Sequence, residues 1–424
     1  MSNATDLPEQ SRKKRLLWAN PFCLLDTSSG ASMSVREMLH QLDKRGVEVH
    51  VLGATVFDTE DGLQRLRGHW ARIKASTQKL VNVKDGNLVH QLVKTKSTVR
   101  GQLLSEEADF FLSNYLRELH NFKPDLVWFY GGGSLDFLVP HEARLRGIPS
   151  AAYLGNGNYK ASAWCRDVDT IITDSQATAD LYDRTQGFKP VPVGMFINPA
   201  NFVSPKNSRK RILFVNPSYS KGAAIVVQLA MLLEKRRPDI VFEVVESRGN
   251  WHEVLKAVSS SLGTPRDQLD NVVVTPNTDD MRPIYARARM LLAPSLWYES
   301  GPRVLAEALL NGIPGIVTNR GGAPGLLGDA GFKLNLPEKC HQSPFTSVPK
   351  TELLQPLVER IEALYDDEAL YAEYVKRAYR VGAEKHGIEG CTDRLQAAFK
   401  PLLEQKAGDK DHVELMRRHH KHNV

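Results

Sequence analysis

The segment from Arg289 to Val317 constrains the fold of this chain more than any other part of its sequence. Its first residues, up to Pro294, form a short apolar run that predicts a buried strand ended by the proline. A helix is predicted next, and its cap, first turn and closing glycine are Ser300, Pro302 and Gly312. A second apolar run then begins another strand. This order of elements indicates a parallel α/β sheet whose carboxyl edge carries the loop and the helix N-terminus.

Two carboxylates, Glu299 and Glu307, stand on either side of that helix start. The helix dipole and the free N–H groups of the first turn favour a phosphate between them. The carboxylates themselves repel a phosphate, so they are better placed to accept hydrogen bonds from sugar hydroxyls on either side of it. A nucleotide sugar has this layout of ribose, diphosphate and hexose. The alternative is a surface helix with two solvated glutamates, and the strand, proline, cap and glycine around the pair favour the binding site.

The segment from about Tyr285 to Gly331 resembles the donor-site signature of family 4 glycosyltransferases, which have the GT-B fold. The matching pieces occur in the family's order and are Ala286 and Ala288, Pro294-Ser295, Glu299, Glu307-Ala308, Gly312-Ile313-Pro314 and Gly321-Gly322. The resemblance implies that Glu299 contacts the transferred sugar and that Glu307 contacts the ribose hydroxyls. It also implies an α/β fold of two Rossmann-like, doubly wound domains that face each other across a cleft.

A second candidate donor contact is Lys221, in a turn between a predicted strand and a predicted helix. Its ammonium can lie on a diphosphate, and Lys221-Gly222 matches a family pair that binds the donor diphosphate. The family usually has an arginine five residues earlier, where this chain has Asn216. Arg303 is the expected substitute for that cation, with a plain surface role as the alternative. Gly301 and Pro302, beside Arg303, are assigned to the same donor-binding set.

Candidate sites in the first half of the chain follow predicted strands. Ser29 and Gly30 match the family's glycine-rich loop, whose N–H groups approach the donor phosphate or the acceptor, although this chain has one glycine where two are common. Gly132 and Gly133 follow the strand that ends at Tyr130, and Asn156 follows the next strand, so these three residues are assigned to the acceptor side. The family often has a histidine at these strand ends. None is present here, and no general base is assigned.

Strands and helices alternate along the whole chain, and the stop sequence Leu145–Pro149 recurs as Leu310–Pro314. Predicted strands are Arg15 to Ala19, Val47 to Gly53, Asp125 to Tyr130, Ser150 to Leu154, Thr170 to Thr173, Arg211 to Val215, Val241 to Val245 and Val272 to Thr275. Predicted helices are Ser32 to Arg45, a helix ending at Arg146, Gln176 to Gln186 and Ala223 to Lys235. We expect an acceptor-side domain at 1–203 and a donor domain at 204–387. The resemblance adds that helices in about 388–424 pack back on the first domain.

The net charge of +6 is concentrated in one segment. Between Arg65 and Arg100 there are nine Lys or Arg and one acidic residue. Three interpretations stay open: a solvated helical face, an anionic acceptor or anionic membrane surface, and nucleic acid. Nucleic acid is the least favoured, because no RNA- or DNA-binding motif accompanies the charge.

Cysteine spacing and apolar content indicate the compartment. The four cysteines have no Cys-x-x-Cys spacing, which suits a reducing cytoplasm and argues against a zinc site. No apolar run reaches the roughly eighteen residues of a spanning helix. Asp167-Val168-Asp169 resembles a metal-binding Asp-x-Asp, but it precedes a strand where such a motif should follow one, so no metal is expected.

These observations predict a cytoplasmic glycosyltransferase, peripheral on a membrane if the basic segment binds one. It would move a hexose from a nucleotide diphosphate-sugar to a glycan, lipid-linked or protein acceptor, with retention and without a metal. Lys221 and Glu299 would act on the reacting part of the donor. A nucleotide-sugar epimerase of the same fold and a catalytically silent sugar-nucleotide-binding subunit remain alternatives. The donor base, the sugar and the acceptor are not determined by the sequence.

Overall fold

A computed structural model describes residues 12–131, 133, 135–159, 162–278 and 280–404 of the chain. The strands in this part are β1 Arg15–Ala19, β2 Glu48–Ala54, β3 Leu80–Asp85, β4 Leu88–Val93, β5 Leu126–Tyr130, β6 Ser150–Leu154, β7 Thr170–Thr173, β8 Val191–Pro192, β9 Arg211–Val215, β10 Val241–Val245, β11 Val272–Thr275, β12 Ala288–Ala293, β13 Gly315–Thr318 and β14 Gly331–Leu334. The helices are α1 Gly30–Lys44, α2 Arg67–Ala75, α3 Ser105–Asn121, α4 Leu135–Leu145, α5 Gln176–Gln186, α6 Pro199–Phe202, α7 Ala223–Glu234, α8 Trp251–Ser261, α9 Arg282–Arg287, α10 Arg303–Leu310, α11 Ala323–Leu327, α12 Gln355–Asp366, α13 Glu368–His386 and α14 Ile388–Glu404.

The chain divides into two compact units. The first unit holds the described residues up to Leu154, the described residues of Tyr159–Ile172 and those from Leu395 onward. The second unit holds Gly155–Asn158 and the described residues of Thr173–Arg394. None of these helices is long and apolar enough to cross a membrane.

The first sheet has the strand order β3-β4-β2-β1-β5-β6-β7-β8. Pairing is parallel from β4 through β2, β1 and β5 to β6, while β3 runs antiparallel to β4. β5 and β6 are buried along their whole length, and β1 from Leu16 onward, as expected of parallel strands covered on both faces. The indole rings of Trp18 and Trp128 pack edge to face in this core, with centroids 5.3 Å apart.

The second sheet has the order β11-β10-β9-β12-β13-β14, and every pair is parallel. Numbered within the sheet, this is the 3-2-1-4-5-6 order of a Rossmann fold. α7 is buried over most of its surface because its sequence is apolar on all sides. The predicted α/β class with two doubly wound sheets is therefore confirmed.

Most predicted elements are found within two residues of their expected bounds, and the recurring stop sequence acts as expected. Gly147 and Gly312 have φ values of +68° and +67°. The N–H of the next residue, Ile148 or Ile313, bonds the carbonyl five residues back, at 3.0 and 2.9 Å. This is a Schellman motif, which satisfies the last carbonyls of α4 and α10.

The basic segment between Arg65 and Arg100 forms an α-helix only at α2. The interpretation as a solvated helical face therefore applies only to that part. Beyond α2 the chain forms the antiparallel hairpin of β3 and β4, in which Lys84 pairs with Val89. Gly86 makes the turn with a φ of +59°. The Asp-Gly-Asn sequence at this turn is a hairpin signal that the sequence interpretation missed.

Candidate functional site

Glu299 lies in the loop that follows β12, and its carboxylate is held by two donors. The Ser295 hydroxyl donates to Oε1, and the Lys221 ammonium donates to the same oxygen at 2.5 Å. Glu299 is buried, with 5% of its surface exposed. The two residues predicted to act on the reacting part of the donor are therefore an ion pair, although 78 residues separate them in the chain.

The turn that carries Lys221 is locked against the Glu299 loop by backbone contacts. The N–H of Leu296 donates to the carbonyl of Ser220 at 2.8 Å. Gly222 has a φ of +83°, and a Cβ at this position would lie 2.2 Å from the Pro294 carbonyl oxygen. Only glycine fits this approach, which is the physical reason for the Lys-Gly pair. Sheet order brings the two loops together, because β9 is hydrogen-bonded to β12.

The Gly321-Gly322 pair supports the Glu299 loop from its other side. A Cβ on Gly321 would lie 2.4 Å from the Glu299 carbonyl oxygen, and one on Gly322 would lie 1.6 Å from that of Ser300. The N–H of Gly322 donates to the Glu299 carbonyl at 2.8 Å. Both glycines are therefore needed for the backbone approach that positions Glu299.

Ser300 does not cap α10, which corrects the sequence prediction. The helix begins at Arg303, and its N-cap is Pro302, without a side-chain hydrogen bond. The Ser300 hydroxyl instead donates to Asp174 Oδ1 and accepts from the Thr178 hydroxyl at 2.6 Å. Burial raises the pKa of Asp174 to about 7, and the nearby charge of Glu299 adds to the rise. Sequence reasoning missed Asp174, because nothing in the sequence places the end of β7 beside this loop.

Glu307 is buried on α10 with both carboxylate oxygens engaged. Arg303, one turn earlier, places Nε 2.8 Å from Oε1, and the Tyr285 hydroxyl donates to Oε2 at 2.6 Å. Burial raises the pKa of Glu307, while Arg303 and Tyr285 counteract the rise.

Arg303 is also tied to two neighbours outside α10. It donates to the Phe196 carbonyl at 3.1 Å, and its guanidinium lies 5.0 Å from the centroid of the Phe202 ring. Its charge is therefore engaged chiefly by Glu307 in this structure.

Asn216 and Gly301 both have local structural constraints. Asn216 adopts a φ of +63°, which asparagine tolerates, and its carboxamide oxygen accepts from the Gly249 N–H at 3.1 Å. Its side chain thus closes the loop after β10. A Cβ on Gly301 would lie 2.5 Å from Cε of Met195.

The candidate residues of the first half fall into both units. The Ser29 hydroxyl caps α1 by accepting from the Ser32 N–H at 3.3 Å, and Gly30 is the first residue of that helix. The Gly133 N–H donates to the Asp136 carboxylate, whereas Gly132 lies outside the described residues. Asn156 belongs to the second unit, where its carboxamide oxygen accepts from the Asn158 N–H at 2.9 Å.

Carboxylates of the Asp-x-Asp sequence have protein partners. Asp167 accepts from Arg166 and pairs with His141, both at 3.0 Å, and Asp169 accepts from the Ser150 N–H at 2.8 Å. Across the described ranges there is no group of three or more His, Cys, Asp or Glu side chains placed to hold a metal ion.

Comparison with known proteins finds one family match, in the second half of the chain. Residues 200–381, somewhat under half of the chain, match the model of the family described as Glycosyl transferases group 1. This range contains Lys221, Glu299 and Glu307. A search of curated protein sequences finds no match.

Solved structures resemble the whole chain at low sequence identity. A glycosyltransferase from Rickettsia africae has a TM-score of 0.67 at 12% identity, covering 93% of this chain and 100% of its own. Sucrose-phosphate synthase from Thermosynechococcus elongatus has a TM-score of 0.64 at 13% identity, covering 92% and 99%. The HepE protein of Anabaena, solved with UDP and glucose, has a TM-score of 0.63 at 13% identity, covering 92% and 100%. These likenesses show that the chain has the GT-B fold.

Proposed function

We propose that this protein is a glycosyltransferase that moves a hexose from a nucleotide diphosphate-sugar to an acceptor, with retention and without a metal. The observation that carries the proposal is the Lys221–Glu299 pair at the carboxyl edge of the second sheet, 2.5 Å apart and beside the start of α10. The match of residues 200–381 to a glycosyltransferase family and the GT-B fold both support sugar transfer.

Lys221 would supply the main catalytic contribution. Charge develops on the diphosphate as its bond to the sugar breaks, and a preorganised cation stabilises that charge more than it stabilises the intact donor. The N-terminus of α10 adds partial positive charge. When the donor binds, the ammonium would turn from Glu299 to a phosphate oxygen. The Glu299 carboxylate, still held by Ser295, would then accept from a hydroxyl of the transferred sugar.

Glu307 would hold the ribose hydroxyls, and Arg303 would mainly orient Glu307. The 2.8 Å contact between them and the Arg303 bond to the Phe196 carbonyl support this role. A role for Arg303 as the cation that replaces the usual arginine at Asn216 requires it to leave Glu307. Gly301 and Pro302 would shape the backbone at the phosphates. In the first half, Ser29 and Gly30 would offer the N-terminus of α1 to the donor phosphate or the acceptor.

The acceptor is assigned to the N-terminal part, residues 1–203, and the donor to residues 204–387. We place the protein in the cytoplasm and propose that its basic segment attaches it to an anionic membrane surface. Exposed cations of this segment are Arg65, Arg67, Arg72, Lys74, Lys79, Lys84, Lys96 and Arg100. Of its apolar residues, Ile73 and Leu88 are buried, whereas Val89 and Val99 are exposed, so apolar contact would add to the electrostatic attachment.

Radiolabelled UDP-, GDP- and ADP-sugars, incubated with lipid extract, glycans and simple methyl glycosides as acceptors, test the proposal. Transfer of label to an acceptor with retained configuration supports it. Interconversion of the free donor would instead identify an epimerase. Tight binding of a nucleotide without turnover would identify a silent binding subunit, and no binding of any donor would reject all three. A parallel assay in excess chelator tests independence of metal.

A further inference from the structure

The loop that carries Glu299 is tied to the N-terminal end of α5 on both sides of that residue. The Tyr298 hydroxyl donates to the Ala177 carbonyl at 2.9 Å, and the Ser300 hydroxyl donates to Asp174 Oδ1. Ala177 lies in the first turn of α5, and Asp174 lies just before the helix. The backbone at Glu299 is therefore fixed through both of its neighbours in the chain.

A series of hydroxyl groups connects Ser300 to the cap of α5. The Thr178 hydroxyl donates to the Ser300 oxygen at 2.6 Å, and the Ser175 hydroxyl lies 3.1 Å from that of Thr178. Ser175 also caps α5, because its oxygen accepts from the Thr178 N–H at 3.2 Å. Ser300, Ser175 and Thr178 are all buried, and a buried network of paired groups holds its members rigidly. We name the residues Asp174, Ser175, Ala177 and Thr178 the α5 anchor.

Asp174 is an expensive choice for an anchor that only supports the loop. It is 8% exposed, and the charge of Glu299 opposes its ionisation. An asparagine could accept from the Ser300 hydroxyl without the free-energy cost of burying a charge. Ionisable groups in such opposing surroundings are concentrated at functional sites. The carboxyl group of Asp174 therefore suggests a role that depends on its ionisation.

The α5 anchor fixes Glu299 independently of Lys221. Lys221 donates to Glu299 Oε1 at 2.5 Å, but the proposed reaction requires this ammonium to turn to the diphosphate. The carboxylate would then keep its bond from Ser295, and its direction would depend on the backbone that Tyr298 and Ser300 fix. Accurate placement matters here, since a displacement of about 1 Å in a catalytic site can lower the rate about a hundred-fold.

We propose that the α5 anchor positions Glu299 for the transferred sugar, and that Asp174 is a pH-sensitive positioning residue which acts through Ser300. An ionised carboxylate accepts the Ser300 hydrogen bond more strongly than a neutral carboxyl group does. Glu299 is therefore aligned best when Asp174 is charged. This inference rests on the proposed function, because it concerns the contact that Glu299 makes during sugar transfer.

The surroundings of Asp174 set the pH range of the effect. Burial raises the pKa of Asp174 to about 7 and Glu299 adds to the rise, while the Ser300 hydrogen bond counteracts it. Burial also raises the pKa of Tyr298, so its hydroxyl stays protonated near pH 7. Other ionisable groups act on Tyr298 and are Asp180, Arg184 and Arg320. Between pH 6 and pH 8 the ionised fraction of Asp174 should increase about ten-fold.

Three variants test the proposal with the UDP-, GDP- or ADP-glucose that the wild type uses as donor. Ser300→Ala and Tyr298→Phe should each lower turnover by about ten- to a hundred-fold. The Kd of the matching nucleoside diphosphate should stay unchanged, because its ribose is assigned to Glu307. Asp174→Asn keeps an oxygen acceptor for Ser300 but cannot titrate. Wild-type turnover should therefore rise by up to about ten-fold relative to Asp174→Asn from pH 6 to pH 8.

Hydrogen exchange of residues 295–302 gives a readout that does not depend on turnover. After correction for intrinsic exchange, protection of this loop should increase from pH 6 to pH 8 in the wild type but not in Asp174→Asn. Melting temperatures identify any variant that fails to fold, and Tyr298→Phe changes only a half-buried side chain. Asp183→Asn removes an exposed charge from the same helix and is the matched control. It should behave as the wild type does in every measurement.

The outcomes distinguish this inference from the proposed function. If the wild type transfers sugar from none of these donors, the proposed function fails and this inference fails with it. If the wild type transfers sugar and Asp174→Asn shows the same pH profile and loop protection, only this inference is overturned. Full turnover in a folded Tyr298→Phe variant would also overturn it. Equal losses of turnover and nucleotide affinity would do the same, since they would indicate general damage to the site.

Discussion

Replacement of Glu307 by glutamine should weaken donor binding through the ribose alone. The carboxylate accepts from Tyr285 at 2.6 Å and lies 2.8 Å from Arg303 Nε, so its position is set before a ligand arrives. A hydrogen bond to a charged group contributes roughly 1.5–3 kcal/mol. Since ~1.4 kcal/mol is tenfold in affinity, Glu307→Gln should raise the Kd of the nucleoside diphosphate about ten-fold to about a hundred-fold.

The substitution also removes one charge of a buried pair, and breaking such a pair costs about 3–5 kcal/mol of stability. Binding and folding must therefore be separated. Calorimetric titration with the nucleoside diphosphate and its 2′,3′-dideoxy analogue does this, with melting temperature measured in parallel. The wild type should bind the analogue more weakly than it binds the natural nucleoside diphosphate. Glu307→Gln should bind both nucleotides with the same reduced affinity, because its ribose contact is already absent.

If the substitution weakened the binding of both nucleotides by the same factor relative to the wild type, the reasoning would be refuted, since such a loss would come from general damage to the site. Unchanged affinity for the natural nucleotide would refute the assignment of Glu307 to the ribose. Glu362→Gln is the matched control: this glutamate pairs with Arg236 at 2.6 Å on the surface of the same unit. It should bind both nucleotides as the wild type does.

The remaining predictions concern turnover, pH and membranes. Lys221→Ala should cut turnover by a hundred-fold or more, about the value of one electrostatic contact to the transition state. Glu299→Gln should lower turnover while the affinity for the nucleotide stays nearly constant. Full activity of either variant in steady-state assays would contradict these roles. Asp174 has a folded pKa of about 7, above its unfolded value, so its contribution to stability is present below about pH 4 and is lost as pH rises towards 7. The urea stability of the wild type should therefore fall between pH 5 and pH 8, whereas Asp174→Asn should show a smaller fall; equal falls would contradict burial of this carboxyl. Each basic residue near an anionic bilayer contributes about 1 kcal/mol to binding, so attachment to anionic liposomes should weaken as salt is added. Variants that neutralise Arg72, Lys74, Lys79 and Lys84 should reduce this binding. Equal binding to neutral liposomes would reject the membrane surface.

The sequence by itself determined the order of elements and the class of the fold. Apolar runs, turn glycines and helix stops are local signals, because each depends on residues within one or two turns. The strands β9 and β12, and the left-handed glycines at 147 and 312, were all predictable for that reason. The hairpin of β3 and β4 was also present as a local signal at Gly86, but the sequence analysis weighed the charges of this segment and did not use that signal.

Tertiary structure decided which of these local pieces meet. Lys221 and Glu299 form an ion pair only because β9 and β12 are neighbours in the sheet, and strand order is not a local property. The same holds for Ser300, whose partner Asp174 lies 126 residues away. Propensity favours serine as a helix cap, but the Ser300 oxygen accepts from the Thr178 hydroxyl and its hydrogen is donated to Asp174, so it does not accept from the backbone of α10. Asp136 and Asn20 likewise meet only because β1 and β5 are adjacent in the first sheet.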